Sequence, residues 1–160
     1  MKTLKFYSLV VLSIVSLLTY GQSPSGLNKK QLCSFLQDRI KQFSSAADLV
    51  NVSFDDTDCT FLLEFKWRWI KGTLSKVSPR GAVAFWDVDK ESNDLALVLY
   101  SIPKVDAFFE FKSDTINQYF PILKIHFDLA KTKTTPNFLD ETSVAVKKLV
   151  KLCMTSQGDK

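Results

Sequence analysis

The chain has 160 residues, of which 46% are hydrophobic and 24% charged, and its formal net charge at pH 7 is +4. This apolar content excludes an intrinsically disordered chain, and the even mixing of basic and acidic residues gives nucleic-acid binding little electrostatic support. The length is that of a single domain with a hydrophobic core of its own.

The N-terminus has the pattern of a secretory signal peptide. Lysines near the start are followed by an apolar run over residues 6–18, and Thr19-Tyr20-Gly21 ends it with small residues at the first and third of these positions. We therefore expect residues 1–21 to be removed, leaving one globular domain over residues 22–160. An uncleaved membrane anchor is the alternative, but the run contains serines and is shorter than the about 20 apolar residues that span a bilayer. The sequence predicts a secreted or periplasmic protein with no membrane insertion after cleavage.

Two segments have the spacing of apolar side chains that is typical of amphipathic helices. The first runs from Leu27 to about Leu49 and is followed by a polar segment, 51–58, that we expect to be a loop. The second begins at Asp140 and runs to about Met154, and its apolar stripe consists of Val146, Leu149, Val150 and Cys153.

The segments between the two helices have the features of β-strands. The clearest is Cys59–Ile70, in which strict alternation predicts one strand with its aromatic residues on a single face. The others are Gly81–Val88, Leu95–Ile102, Val105–Lys112 and Phe120–Leu129. This order predicts an α+β fold with an N-terminal helix, about five antiparallel strands forming one curved sheet, and a C-terminal helix, the helices being packed on the sheet.

Three cysteines, Cys33, Cys59 and Cys153, follow the predicted signal peptide. An odd number in an oxidising compartment predicts one disulfide and one thiol that is buried or paired elsewhere. A Cys33–Cys153 bond would join the two helices, and a Cys33–Cys59 bond would join the first helix to the sheet. The alternative is that all three are small buried apolar residues.

Aromatic residues are concentrated at strand positions that could face one interior. Since each aromatic side chain buries about 150–250 Å², the set could simply fill a core. The alternative is a cavity between sheet and helices that holds a small apolar ligand. The candidate ligand-binding residues are Phe61, Phe65, Trp67, Trp69, Phe85, Phe109 and Phe111.

A second candidate surface lies on the opposite face of the central strand pair. Trp86 and Tyr100 stand there beside small alanines, and Lys66 and Arg68 would form a basic edge nearby. Such an apolar face suits a protein partner or a homodimer. The simpler alternative is that the C-terminal helix covers it.

The sequence contains no catalytic signature. Its single histidine, His126, lies in a strand on the face that we expect to be solvated, and the motifs G-x-S-x-G and H-E-x-x-H are absent. We expect no catalytic residue, cofactor or metal site. The leading hypothesis is a secreted, non-catalytic binding or interaction protein that uses its aromatic-rich sheet. The alternatives are a carrier of a small apolar ligand and a small extracytoplasmic hydrolase or isomerase with dispersed acidic residues.

Overall fold

The computed structural model describes residues 23–78, 86–89, 94–102 and 108–156, a part of the chain that contains three α-helices and eight β-strands. The predicted signal peptide and Phe85 lie outside these residues. Short 3-10 turns occupy Pro24–Gly26 and Leu74–Lys76. In chain order the elements are α1 (Lys29–Phe43), β1 (Leu49–Asp55), β2 (Thr60–Phe65), β3 (Arg68–Thr73), β4 (Trp86–Asp89), β5 (Asp94–Tyr100), β6 (Phe109–Ser113), β7 (Asn117–Phe120), β8 (Ile122–Asp128), α2 (Leu129–Lys133) and α3 (Phe138–Thr155).

The strands form two antiparallel sheets. One has five strands in the order β1-β2-β3-β6-β7, and the other has three in the order β4-β5-β8. The α+β class and the antiparallel pairing predicted from the sequence are confirmed. The prediction of a single sheet is wrong, because β8 pairs with β5 and not with β7, the strand that precedes it in the chain.

The segment predicted as one long strand, Cys59–Ile70, is a hairpin. β2 and β3 are joined by a tight turn at Lys66 and Trp67, with Phe65 opposite Arg68. The turn changes which residues face inward, because alternation starts again at Arg68 with the opposite parity. This turn could not be predicted from the sequence, because Lys66 and Trp67 are not among the Gly, Asn, Asp or Pro residues that normally mark a hairpin turn.

The first helix ends earlier than the apolar pattern predicts. It terminates at Phe43, and part of the predicted helix and loop forms strand β1. At its start, the Asn28 side chain accepts a hydrogen bond from the backbone N–H of Gln31 at 2.9 Å. The Gln31 side chain accepts one in return from Asn28 at the same distance. This capping box fixes the N-terminus of α1.

α3 buries its predicted apolar face, and α1 buries its own as far as Phe43, whereas Ala47 and Val50 of the stripe predicted for it lie beyond the helix and are exposed. On α3, Val146, Leu149, Val150 and Cys153 are at most 4% exposed. α1 packs against β1, β8 and α3, whereas α3 packs on α1 and on the two 3-10 turns. One hydrophobic core results, and its largest fully buried side chains include Phe61, Phe109 and Phe127.

Cys59 and Cys153 form a disulfide whose Cα atoms are 5.7 Å apart. The bond joins the turn between β1 and β2 to the end of α3, and it is neither of the two pairings considered from the sequence. Cys33 is a free, buried thiol, as expected for an odd number of cysteines. Its pKa is raised to about 11, mainly by burial and next by the nearby charge of Asp56. A disulfide pair is consistent with an oxidising extracellular compartment.

Within the described residues, no helix combines the length and the apolar content that crossing a bilayer requires.

Candidate functional site

The predicted aromatic set does not share one interior. Phe61 and Phe109 lie deep in the core, at most 2% exposed, with ring centroids 6.1 Å apart. Phe65 and Phe111 are half-buried on the same inner face. By contrast, Trp67 lies in the β2–β3 turn and is 77% exposed. The expectation that it faces inward is therefore wrong.

Trp69 lies on the outer face of the five-stranded sheet. It stands opposite Glu64 on β2 and Lys112 on β6, and residues directly opposite in antiparallel pairs share a face. The inner positions of β3 are taken by Arg68 and Ile70, which the single-strand prediction had placed outside. The error has one cause, the turn that reverses the alternation after Phe65.

An apolar cleft of about 190 Å³ opens between the two sheets near this turn. The five-stranded sheet, β8 and the end of α1 all contribute to it. Its apolar walls include Leu63, Phe65, Ile70, Phe111 and Ile125, and its polar lining includes Arg68, Lys124 and His126.

Strand register explains why the walls of the cleft are apolar. Leu63 on β2 is opposite Ile70 on β3, and Ile70 is opposite Phe111 on β6. These three side chains therefore form a continuous row across the inner face of the sheet. Ile125 is 6% exposed and projects from β8 on the facing side of the cleft.

Arg68 provides a cation at the mouth of the cleft. Its guanidinium carbon lies 4.8 Å from the centroid of the Phe65 ring, within the range of a cation–π contact. One of its nitrogens, Nη2, is 3.4 Å from Oδ2 of Asp48, while the side chain remains 44% exposed. An ion pair this exposed contributes little to stability, and the guanidinium group of Arg68 remains accessible to a ligand.

Lys124 and His126 line the same cleft from β8. The sequence placed both on a solvated face. Lys124 is exposed, whereas His126 is half-buried. The backbone oxygen of His126 accepts a hydrogen bond from the backbone N–H of Ser45 at 3.2 Å. Because successive side chains of a strand point to opposite faces, the side chains of Lys124 and His126 lie on the other face of β8 from Ile125. Sequence reasoning missed Ile70, Lys124 and Ile125 as lining residues because only the sheet pairing brings them together.

A second depression, of about 280 Å³, lies on the outer face beside the same turn. Trp67, Trp69, Arg68 and Lys66 line it together with Lys112. The ammonium of Lys112 is 5.8 Å from the centroid of the Trp69 ring. Trp69 is half-buried, and the carboxylates of Glu64 and Asp114 also belong to the lining. An exposed tryptophan such as Trp67 is typical of protein-binding surfaces.

The residues predicted to form a partner surface on the central strands differ in their exposure. Lys66 and Arg68 are exposed, as that prediction requires. On β5, however, Ala96 and Val98 are 1% and 3% exposed, so the face that they share is buried. Tyr100 is half-buried at the end of that strand, and only the backbone of Trp86 belongs to the described residues.

The described part of the chain contains no group of three or more His, Cys, Asp or Glu side chains placed to hold a metal ion. Among the described residues, those that line the cleft between the sheets include no carboxylate.

The chain matches no protein-family model, no curated protein and no solved structure at a significant level.

Proposed function

We propose that this protein is a secreted or periplasmic, non-catalytic binding protein that holds a small apolar ligand in the cleft between its two sheets. The observation that carries the proposal is the continuous apolar row of Leu63, Ile70 and Phe111, with Arg68 accessible at the mouth. Export is supported by the N-terminal pattern and by the Cys59–Cys153 bond. In this proposal the five-stranded sheet curves around the ligand.

The lining of the cleft defines the chemistry of the ligand. Its walls favour a hydrocarbon or aromatic group, and Arg68 favours a carboxylate or another anion at one end. A volume of about 190 Å³ lies below the roughly 300–1,000 Å³ of sites for drug-sized molecules. The ligand is therefore small, such as a short acyl chain or a single aromatic ring bearing an acidic group.

A series of linear carboxylates tests this proposal. Burial of each methylene contributes about 0.8 kcal/mol, so the affinity measured by titration calorimetry should rise from butanoate through hexanoate and octanoate. The rise should end when the chain fills the cleft. Decylamine, which carries the opposite charge, serves as the control and should bind more weakly than decanoate. Affinity that does not depend on chain length or head-group charge would refute the proposal.

A protein partner at the outer depression is the second candidate function. The 77% exposure of Trp67, together with the flanking Lys66 and Arg68, favours a partner with an indole-sized pocket and an acidic rim. The variant Trp67→Ala distinguishes the two candidate functions, because Trp67 lines the outer depression but not the cleft between the sheets. Under the ligand proposal this variant should bind decanoate as the wild type does. A loss of decanoate binding in Trp67→Ala would place the ligand on the outer face instead.

A further inference from the structure

The short segment 44–48, which joins α1 to β1, is fastened to both sides of the cleft between the sheets. On one side, the backbone N–H of Ser45 donates a hydrogen bond to the backbone oxygen of His126 on β8 at 3.2 Å. On the other side, the backbone oxygen of Asp48 accepts one from the backbone N–H of Lys66, in the β2–β3 turn, at 3.0 Å. The segment therefore has a defined position at the cleft.

This position places the carboxylate of Asp48 against the cation of the cleft. A turn closed by a hydrogen bond of 3.2 Å from the backbone N–H of Leu49 to the backbone oxygen of Ala46 contains Asp48. Ala46 and Leu49 line the cleft, whereas Asp48 is not among the described lining residues. Its Oδ2 is 3.4 Å from Nη2 of Arg68, and its side chain is 37% exposed. Asp48 thus acts on the cleft through Arg68.

The contact with Asp48 uses only part of the guanidinium group of Arg68. A guanidinium has five N–H donors, and the one nitrogen that faces Asp48 is Nη2. A ligand carboxylate can therefore bind Arg68 while Asp48 stays in place. The two carboxylates then share one cation, and each repels the other through an environment that screens charge less than bulk water does.

We infer that Asp48 is a built-in counter-ion of Arg68 that weakens the binding of anionic ligands and so sets the charge selectivity of the cleft. With Asp48 ionised, the Arg68–Asp48 pair carries no net charge, and the apolar walls supply most of the affinity. Without that carboxylate the mouth of the cleft is a net cation. This inference rests on the proposed function, because it concerns the same ligand.

Asp48→Asn tests the inference with three ligands of equal chain length, namely octanoate, octan-1-ol and octylamine. Asparagine keeps the shape of the side chain and removes its charge. In titration calorimetry the variant should bind octanoate about three- to fivefold more tightly than the wild type does, the range expected for an exposed ion pair. Octylamine should bind more weakly by a similar factor, and the affinity for octan-1-ol should not change.

Asp58→Asn is the matched control. It makes the same change in net charge, but Asp58 is exposed in the turn between β1 and β2, at the end of the β2–β3 hairpin away from Arg68. The five residue steps from Thr60 to Phe65 alone span about 17 Å, which exceeds the Debye length of about 8 Å at physiological salt. This variant should bind all three ligands as the wild type does.

The outcomes separate this inference from the proposed function. If the wild type binds octanoate and Asp48→Asn binds it equally well or more weakly, Asp48 does not compete for Arg68, and the ligand proposal stands alone. Equal gains for all three ligands would show that the substitution opens the cleft sterically, which also overturns the inference. A wild type that binds none of the three would overturn the proposed function and this inference together. Thermal unfolding checks that each variant is folded.

Discussion

Gly72 lies directly opposite Phe61 in the β2–β3 pair, and the Phe61 ring occupies the space that a side chain at position 72 would need. A Cβ atom at this position would be 2.6 Å from two carbon atoms of the ring and 2.9 Å from the ring of Phe109. The inner face of the sheet is therefore completely filled at this end. The cleft between the two sheets lies toward the other end of this face, at Phe65 and Phe111.

We predict that Gly72→Ala destabilises the protein. The added methyl group must displace two buried aromatic rings, and overpacking of this kind costs about 1–3 kcal/mol. Urea unfolding followed by tryptophan fluorescence measures the change. Gly26→Ala is the control, because nothing lies within 4 Å of a Cβ at that position, and it should change the free energy of unfolding by less than about 0.5 kcal/mol. Equal stability of the two variants would contradict the packing described.

Removal of the disulfide should destabilise the fold strongly. The Cys59–Cys153 bond connects positions separated by 94 residues, and in the entropic account closing a loop of this length destabilises the unfolded chain by about 4.7 kcal/mol. The double variant Cys59→Ala/Cys153→Ala should lose about 2–5 kcal/mol of unfolding free energy. Dithiothreitol should lower the stability of the wild type toward that of the double variant and should leave the double variant unchanged. If reductant has no effect on the wild type, the pairing is wrong.

The thiol of Cys33 should make stability fall at alkaline pH. Burial, assisted by the charge of Asp56, raises its pKa to about 11 from 9.0. Between these values the unfolded chain has lost the thiol proton while the folded chain retains it, so rising pH favours unfolding. The contribution is fully present below pH 9 and is lost as the pH approaches 11.

Cys33→Ala provides the comparison, since all other titrating groups are common to both proteins. The advantage of the wild type over the variant should shrink by about 2 kcal/mol between these pH values. At pH 8, the native thiol should also react with Ellman's reagent much more slowly than the thiol of the urea-unfolded chain. Fast labelling of the native protein would show that Cys33 is accessible.

Arg39 joins the two long helices through a buried set of contacts. It is 8% exposed and donates hydrogen bonds to the backbone oxygen of Phe138 at 3.1 Å and to the hydroxyl of Thr142 at 3.3 Å. It also forms an ion pair with Glu141. The guanidinium carbon lies 4.5 Å and 4.9 Å from the ring centroids of Phe35 and Phe138.

Arg39→Lys should therefore cost about 2 kcal/mol of stability, because a single ammonium group cannot replace the planar guanidinium at all of these contacts. Arg68→Lys is the matched control. Its ion pair with Asp48 is exposed, and loss of such a pair changes stability by less than about 1 kcal/mol. Thermal and urea unfolding measure both. Similar losses in the two variants would show that burial of Arg39 is not what makes its contacts stabilising.

The helices were predictable from the sequence because their periodicity is local. The apolar stripe of α3 from Val146 to Cys153 is buried as expected. The alternate residues Leu123, Ile125 and Phe127 of β8 are buried as well. Strand β1 was missed because polar residues such as Asn51 and Asp55 alternate along an edge strand and resemble a loop.

The site was less predictable than the fold. Phe65 and Phe111, two of the candidate residues, line the cleft between the sheets. The turn at Lys66 and Trp67 has no turn-forming residue to mark it. Missing that turn assigned Trp69 and Ile70 to the wrong faces. Ile125 comes to the cleft from β8, whose pairing with β5 is a long-range relationship that no local pattern encodes.

The binding of decanoate to Arg68→Gln and Lys71→Gln tests the central claim most directly. Both substitutions remove one exposed cation from β3, but Arg68 lines the cleft, whereas Lys71 is opposite Leu62 and Glu110 on the outer face. The account predicts that Arg68→Gln weakens binding about tenfold, as expected for the loss of a charge-assisted hydrogen bond, while Lys71→Gln binds as the wild type does. Equal affinities of the two variants, or no binding by the wild type, would contradict it.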